Sequence, residues 1–104
     1  VCLFGHTHVP VVMRLEAGRR LRTLGRGARL GGEIRLEPDG CYLINPGSVG
    51  QPRDRDPRAS YAIFDDELQR LYIHRVDYRV SLARRRILQA GLPAVLGDRL
   101  IYGV

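Results

Sequence analysis

The sequence predicts an α+β fold, with strands and hairpins first and a helical tail last. Three observations predict it. Polar and apolar residues alternate through Glu33 to Leu36, and again through Arg70 to Val76, where Leu71 and Ile73 face one way and Tyr72, His74 and Val76 the other. Strong turn formers, Pro38-Asp39-Gly40 and Asp65-Asp66-Glu67, interrupt the apolar runs. From Val80 the period changes, and Val80, Ala83, Ile87 and Ala90 recur at helical spacing.

Taken in order, Val1 to Phe4 is an apolar run closed by glycine and reads as a short buried strand. A loop follows from Gly5 to Pro10, then a strand from Val11 to Leu15 and a turn from Gly18 to Arg20 that leads into a further strand. Between Gly25 and Gly32 four glycines and two arginines break every period, which predicts a mobile surface loop. Glu33 to Leu36 and Cys41 to Ile44 flank Pro38-Asp39-Gly40 as a hairpin signal. Asn45 to Arg58 carries glycine, proline and charge with no period. Ser60 to Asp65 and Arg70 to Val76 form a second hairpin. Asp77 or Ser81 can cap the first helix, Gly91 supplies its left-handed stop, and Pro93 opens a short final helix carrying Leu96 and Leu100.

With 104 residues the chain holds at most one domain, and 44% hydrophobic with 27% charged residues is a globular balance. The apolar stretch Ile87 to Gly97 is far too short to span a bilayer, so no membrane partner is expected. Because Val1 to Phe4 already reads as strand, the chain looks entered in its middle, with any targeting segment upstream. The net charge is +6, and all seventeen basic residues are arginine. Their scatter along the chain fits a coding bias towards arginine better than a nucleic-acid surface. The run Arg84-Arg85-Arg86 reads as a solvated helical face. Cys2 and Cys41 are too few for a disulfide framework; each lies in an apolar run and reads as a small buried residue, with a cytoplasmic setting as the default.

Two segments carry chemistry. In Gly5-His6-Thr7-His8, neutral imidazoles are good ligands for divalent ions. At i and i+2 on an extended backbone they project to the same side, and Gly5 lets the chain turn close to an ion. That suits two ions about 3.5–4 Å apart. Alone the pair is a weak signal, since many His-x-His pairs are surface residues. The second segment, Asn45-Pro46-Gly47-Ser48-Val49-Gly50-Gln51-Pro52-Arg53-Asp54, is rich in turn formers. Its glycines expose backbone N–H groups, and Asn45, Ser48 and Arg53 offer donors to phosphate oxygens. A tight turn in which Asn45 and Ser48 bond their own backbone is an equal reading.

GHTHVP, NPGSVGQPRD and DPRASYAIFD together resemble the end of the calcineurin-like metallophosphoesterases, closest to the small bacterial and archaeal branch of phosphodiesterases related to diadenosine tetraphosphatase. The likeness continues through Arg75-Val76-Asp77-Tyr78 and Ala90-Gly91-Leu92-Pro93 to Arg99-Leu100, leaving only about Arg14 to Pro38 unmatched. The resemblance implies that residues 1–104 are the C-terminal portion of one domain, a four-layer αββα sandwich with two divalent ions at the strand ends. Manganese is the first expectation; iron, zinc, nickel or magnesium are alternatives. By resemblance His6 serves the second ion and His8 the first, and phosphoester hydrolysis of a small-molecule substrate proceeds by a hydroxide that both ions activate. Asn45, Gly47, Ser48 and Arg53 would form a substrate-proximal loop, with no catalytic role carried over. His74 matches no ligand of the family and reads as a strand-face residue.

The family's Asp-x-His, Gly-Asp-x-x-Asp and Gly-Asn-His motifs, and its further lone histidine, do not occur here. The bridging aspartate and the histidine that assists the leaving group are therefore absent. The expectation is that the chain alone is inactive and poorly stable, its sheets exposing apolar edges meant for a missing N-terminal part. Smaller departures are Arg55, where relatives often have glycine, and Arg79, where they often have aspartate. The alternative from another class is a non-catalytic binding or scaffold module on the same fold, followed by an arginine-rich nucleic-acid module. Intact histidines favour the enzyme.

Overall fold

The computed structural model describes residues 1–17 and 19–104. Among these residues seven strands precede two helices, as expected of an α+β chain. The strands are β1 (Cys2–Leu3), β2 (Val11–Glu16), β3 (Arg20–Arg26), β4 (Gly32–Arg35), β5 (Cys41–Asn45), β6 (Ala59–Asp65) and β7 (Arg70–Val76). A 3-10 turn at Gly27–Arg29 separates β3 from β4, and the helices are α1 (Val80–Gln89) and α2 (Ala94–Tyr102). The turn expected at Gly18 to Arg20 includes Gly18, which lies outside the described residues; Arg19 has left-handed backbone, φ 60°.

The strands form two sheets, ordered β1-β5-β2-β3 and β4-β7-β6. In the first, β1 runs parallel to β5, while β2 is antiparallel to both β3 and β5. The second is antiparallel throughout. The β6–β7 hairpin has the expected register, with Ala62 opposite Ile73 and Phe64 opposite Leu71. Because side chains alternate across a strand, Leu71 and Ile73 both turn inward, at 0% and 3% exposure.

The core lies between the two sheets. Val12, Tyr42 and Ile44 come from the first, Leu71 and Ile73 from the second, and Leu30 and Leu36 from the segments either side of β4. Burying a side chain the size of Ile44 or Leu71 is worth about 1.5–3 kcal/mol.

The structure corrects several expectations. The first hairpin does not form: β4 pairs with β7, and β5 with β1 and β2. Pro38-Asp39-Gly40 does turn the chain, but it hands it from one sheet to the other. Alternation says which face of a strand is apolar and nothing about its partner. Second, Gly25 to Gly32 is not a featureless surface loop. β3 extends through Arg26, and Leu30 plugs into the core at 7% exposure. Third, both cysteines are exposed. Cys2 lies on a two-residue edge strand beside exposed Val1 and Leu3, and Cys41 opens β5 on its exposed side. Fourth, neither Asp77 nor Ser81 caps α1. Arg79 is the N-cap, without a side-chain cap bond, and Ser81 already lies inside the helix. Gly91 does end α1 with φ 71°, and Pro93 stands immediately before α2.

The helices pack as a hairpin, with Arg84 Nε donating to Asp98 Oδ1 at 2.7 Å and the Arg84 stem lying over Gly97. Among the described residues more large apolar side chains are exposed than buried. The Cα radius of gyration is 15.7 Å, with extents of 50 × 26 × 20 Å; a compact domain of this length would have about 13 Å. No helix is long and apolar enough to cross a membrane.

Candidate metal centre

The two chemistry-bearing segments are about forty residues apart in sequence, and parallel pairing brings them together. Cys2 pairs with Leu43 and Leu3 with Ile44. Strands running the same way end on the same side, so Phe4-Gly5-His6 leaves β1 where Asn45-Pro46-Gly47 leaves β5. The Phe4 amide donates to the Ile44 carbonyl at 2.9 Å, extending the ladder to the loops.

The histidine loop is not extended, contrary to expectation. His6 has φ 76° and His8 φ 60°, so both occupy left-handed backbone. Histidine enters that region more readily than most residues, but a non-glycine residue held there still costs about 1–3 kcal/mol. The surroundings impose it. The Thr7 amide donates to the Gly5 carbonyl at 3.0 Å, and the Arg53 amide donates to the His8 carbonyl at 3.2 Å. Asn45 Nδ2 donates to the Gly5 carbonyl at 3.0 Å and to Thr7 Oγ1 at 2.9 Å. His8 Nδ1 lies 2.8 Å from the Gln51 carbonyl.

That last bond bears on metal binding. A carbonyl only accepts, so Nδ1 carries a proton, and in the neutral ring Nε2 keeps its lone pair. Metal-ligating histidines characteristically donate their second ring nitrogen to a carbonyl or carboxylate, which orients the ring. His8 therefore has the environment of a ligand. His6 is exposed. Among the described residues no group of three or more His, Cys, Asp or Glu gathers.

The second segment supports the first. Asn45 is fully buried at the end of β5, and its Oδ1 accepts from the Gly47 amide at 2.8 Å. Ser48 Oγ accepts from the Gln51 amide at 3.0 Å. These are the self-bonded contacts of a tight turn, and they leave the Asn45 amide engaged within the protein. Gly47 has φ 90°, and a Cβ there would stand 2.8 Å from Ser60 Cβ and 3.2 Å from Pro10 Cδ. Only glycine fits. Ser60 ties the loop to β6 from the other side, donating from Oγ to the Pro46 carbonyl at 2.7 Å and from its amide to the Ser48 carbonyl at 2.9 Å. The Arg53 guanidinium is exposed and donates to Gln51 Oε1 at 2.7 Å.

Beyond Arg53 a charged lock fastens the segment to the second sheet. Asp54 and Arg75 form a bidentate ion pair with 1% and 6% of their side chains exposed. Arg75 Nη2 also donates to the Gly27 carbonyl at 3.3 Å. Arg55 takes φ 66°, a left-handed backbone that favours glycine, and its amide donates to the Gly103 carbonyl at 2.8 Å. Asp56 accepts from Arg58 Nη2 at 2.7 Å, from Nε at 3.0 Å and from the Arg58 amide at 3.0 Å. The lock was overlooked in the sequence because Asp54 and Arg75 stand twenty-one positions apart on unrelated elements.

The Arg58 hydrogen bonds hold the Asp56 carboxyl below its ordinary pKa, against the opposing effect of burial. A depressed folded pKa stabilises the fold above the unfolded value, and that stability is lost as pH falls through the folded one. Urea unfolding should therefore show stability declining below about pH 4. Arg58→Met should flatten that decline, and an unchanged profile would show that the pair has no such role.

His74 stacks on Tyr61 with ring centroids 4.9 Å apart, on the outer face of the β6–β7 hairpin. A groove of about 870 Å³ lies between α1 and α2 and shares no residue with the histidine loop. A smaller apolar recess of about 290 Å³, lined by Phe4, Thr7, Val9, Val11, Met13, Thr23 and Arg26, adjoins that loop.

No family model matches the chain. The crystal structure of a metallophosphoesterase from Sphaerobacter thermophilus is 43% identical, with a TM-score of 0.84 over 99% of this chain and 41% of its own. An uncharacterized protein of Methanocaldococcus jannaschii is 43% identical over 99 residues, which are 95% of this chain and 37% of that protein. Such identity to a metallophosphoesterase, sustained along the whole chain on the same fold, supports the calcineurin-like metallophosphoesterase family for this chain, which spans about two fifths of the length of the relatives it matches.

Proposed function

We propose that this chain is the C-terminal portion of a metal-dependent phosphoesterase and supplies two ligands, His6 and His8, to a two-ion centre. The observation that carries the reading is the His8 ring, whose Nδ1 is engaged by the Gln51 carbonyl so that Nε2 is presented as a ligand. When bound, a pair of divalent ions supplies Lewis-acid activation of water and of the phosphoryl oxygens. The chain's own residues do the rest of what it contributes. The two left-handed backbones aim the imidazoles, Asn45 and Gln51 hold them, and the exposed Arg53 guanidinium at the loop edge is suited to a phosphate oxygen. A bridging carboxylate and a proton donor for the leaving group come from residues preceding this portion. Manganese is the first choice of ion, then iron, zinc, nickel or magnesium, and the substrate is a small phosphodiester or phosphomonoester.

The test compares the full-length protein with the 104-residue chain on bis(4-nitrophenyl) phosphate across a series of divalent ions. The full-length protein should turn over only with metal, and the chain alone should show none, because two imidazoles do not make a preformed site. Metal-dependent turnover by the chain alone would overturn the division of the site. No turnover by the full-length protein with any of the five ions would overturn the enzyme reading.

A further inference from the structure

We infer that Asn45 is the positioning residue of the two histidines, holding their loop in the left-handed geometry that presents both rings to metal. The inference rests on the reading of His6 and His8 as ligands. Asn45 is 0% exposed, and both of its side-chain N–H donors and its carbonyl oxygen are engaged. Nδ2 donates to the Gly5 carbonyl and to Thr7 Oγ1, the residues on either side of His6, and Thr7 also precedes His8. Oδ1 accepts from the Gly47 amide, which fixes the amide plane and prevents the group from flipping. One side chain thus grips the histidine loop at two points while bonded to its own loop at a third.

The two points are the ones a clamp needs. The Gly5 carbonyl belongs to the peptide leading into His6 (φ 76°), and the Thr7 side chain stands between His6 and His8 (φ 60°). Without the donors, the segment around His6 is no longer tied to β5 and can relax to the right-handed or extended backbone that non-glycine residues favour, leaving His8 held only by the Arg53 amide and the Gln51 carbonyl. A relaxed backbone re-aims an imidazole even though its chemistry is unchanged. The role requires an amide in particular. Aspartate keeps the acceptor for Gly47 and loses both donors, and serine is too short to reach across.

The test measures manganese binding to the full-length protein by electron paramagnetic resonance titration, without substrate, beside thermal unfolding. Asn45→Asp should weaken manganese binding about 10–100-fold, the range for a group that orients a ligand, with an altered spectrum. Thr7→Val should weaken it about two- to tenfold, the net worth of one hydrogen bond. Thr7→Ser, which restores the hydroxyl, should bind as the unaltered protein does; a merely structural role for an exposed residue would not separate serine from valine. A folded Asn45→Asp protein with unchanged affinity and spectrum overturns the inference. Should Asn45→Asp fail to fold, Thr7→Val binding as tightly as Thr7→Ser overturns it instead. His8→Ala binding manganese like the unaltered protein is a different failure, because it removes the metal reading and this inference with it. Loss in His8→Ala but not in the Asn45 and Thr7 variants refutes the positioning role alone.

Discussion

Replacing His8 by alanine in the full-length protein is expected to lower metal-dependent phosphodiester turnover by about 10³-fold, or roughly 4 kcal/mol of barrier. Ligand loss acts on both ion occupancy and the geometry of whatever ion remains, so kcat should fall more than KM rises. Bound metal measured by mass spectrometry should drop by about one ion per chain, and His6→Ala should do the same at the other position. His74→Ala is the control. That ring stacks on Tyr61 away from the loop, so its removal should leave metal content and turnover intact. Full turnover in His8→Ala would refute the assignment.

The second large effect concerns stability. Asp54→Ala is expected to destabilise the protein by about 3–5 kcal/mol, because it leaves the Arg75 guanidinium buried without its carboxylate. Compensation is limited. Arg75 Nε already lacks a hydrogen-bond partner, and Asp56 Oδ2 stands 4.0 Å from it while engaged by Arg58. The pair itself is not the source of the stability, since desolvating two charges offsets most of their attraction. An apolar replacement of both partners, Asp54→Leu with Arg75→Met, should therefore recover most of the loss in urea unfolding. A single variant within 1 kcal/mol of the unaltered protein, on the scale where exposed pairs fall, would show that the pair is not effectively buried. Asp54 directly follows Arg53, whose amide holds the His8 carbonyl, so the same variant should also weaken metal binding.

Much of the architecture was legible in local pattern. The β6–β7 hairpin follows from the alternation around Leu71 and Ile73, and the helical tail from the spacing of Val80, Ala83, Ile87 and Ala90 with Gly91 as stop. Both signals are read within a few residues. The false hairpin at Pro38-Asp39-Gly40 shows the limit of such reading. Its turn and both its strands exist, yet β4 pairs with β7, nearly forty positions away, with Ile34 opposite Leu71, while Leu36 joins the core cluster that Tyr42 and Ile44 share with Leu71. Likewise Cys2, Val1 and Leu3 were expected inside on their apolarity alone, but all three are exposed, β1 being a two-residue strand paired with β5.

By itself the sequence determined the chemistry on offer: two imidazoles in Gly-His-Thr-His and a turn-rich partner segment from Asn45 to Asp54. Side-chain identity is enough to state that. Only the tertiary structure decided how they act. The parallel pairing of β1 with β5 brings the two segments to one edge, Asn45 and Gln51 lock the histidines, and Asp54 with Arg75 anchors the assembly to the second sheet. Those contacts join residues twenty or more positions apart, and their energies depend on burial and direction, which no local period encodes.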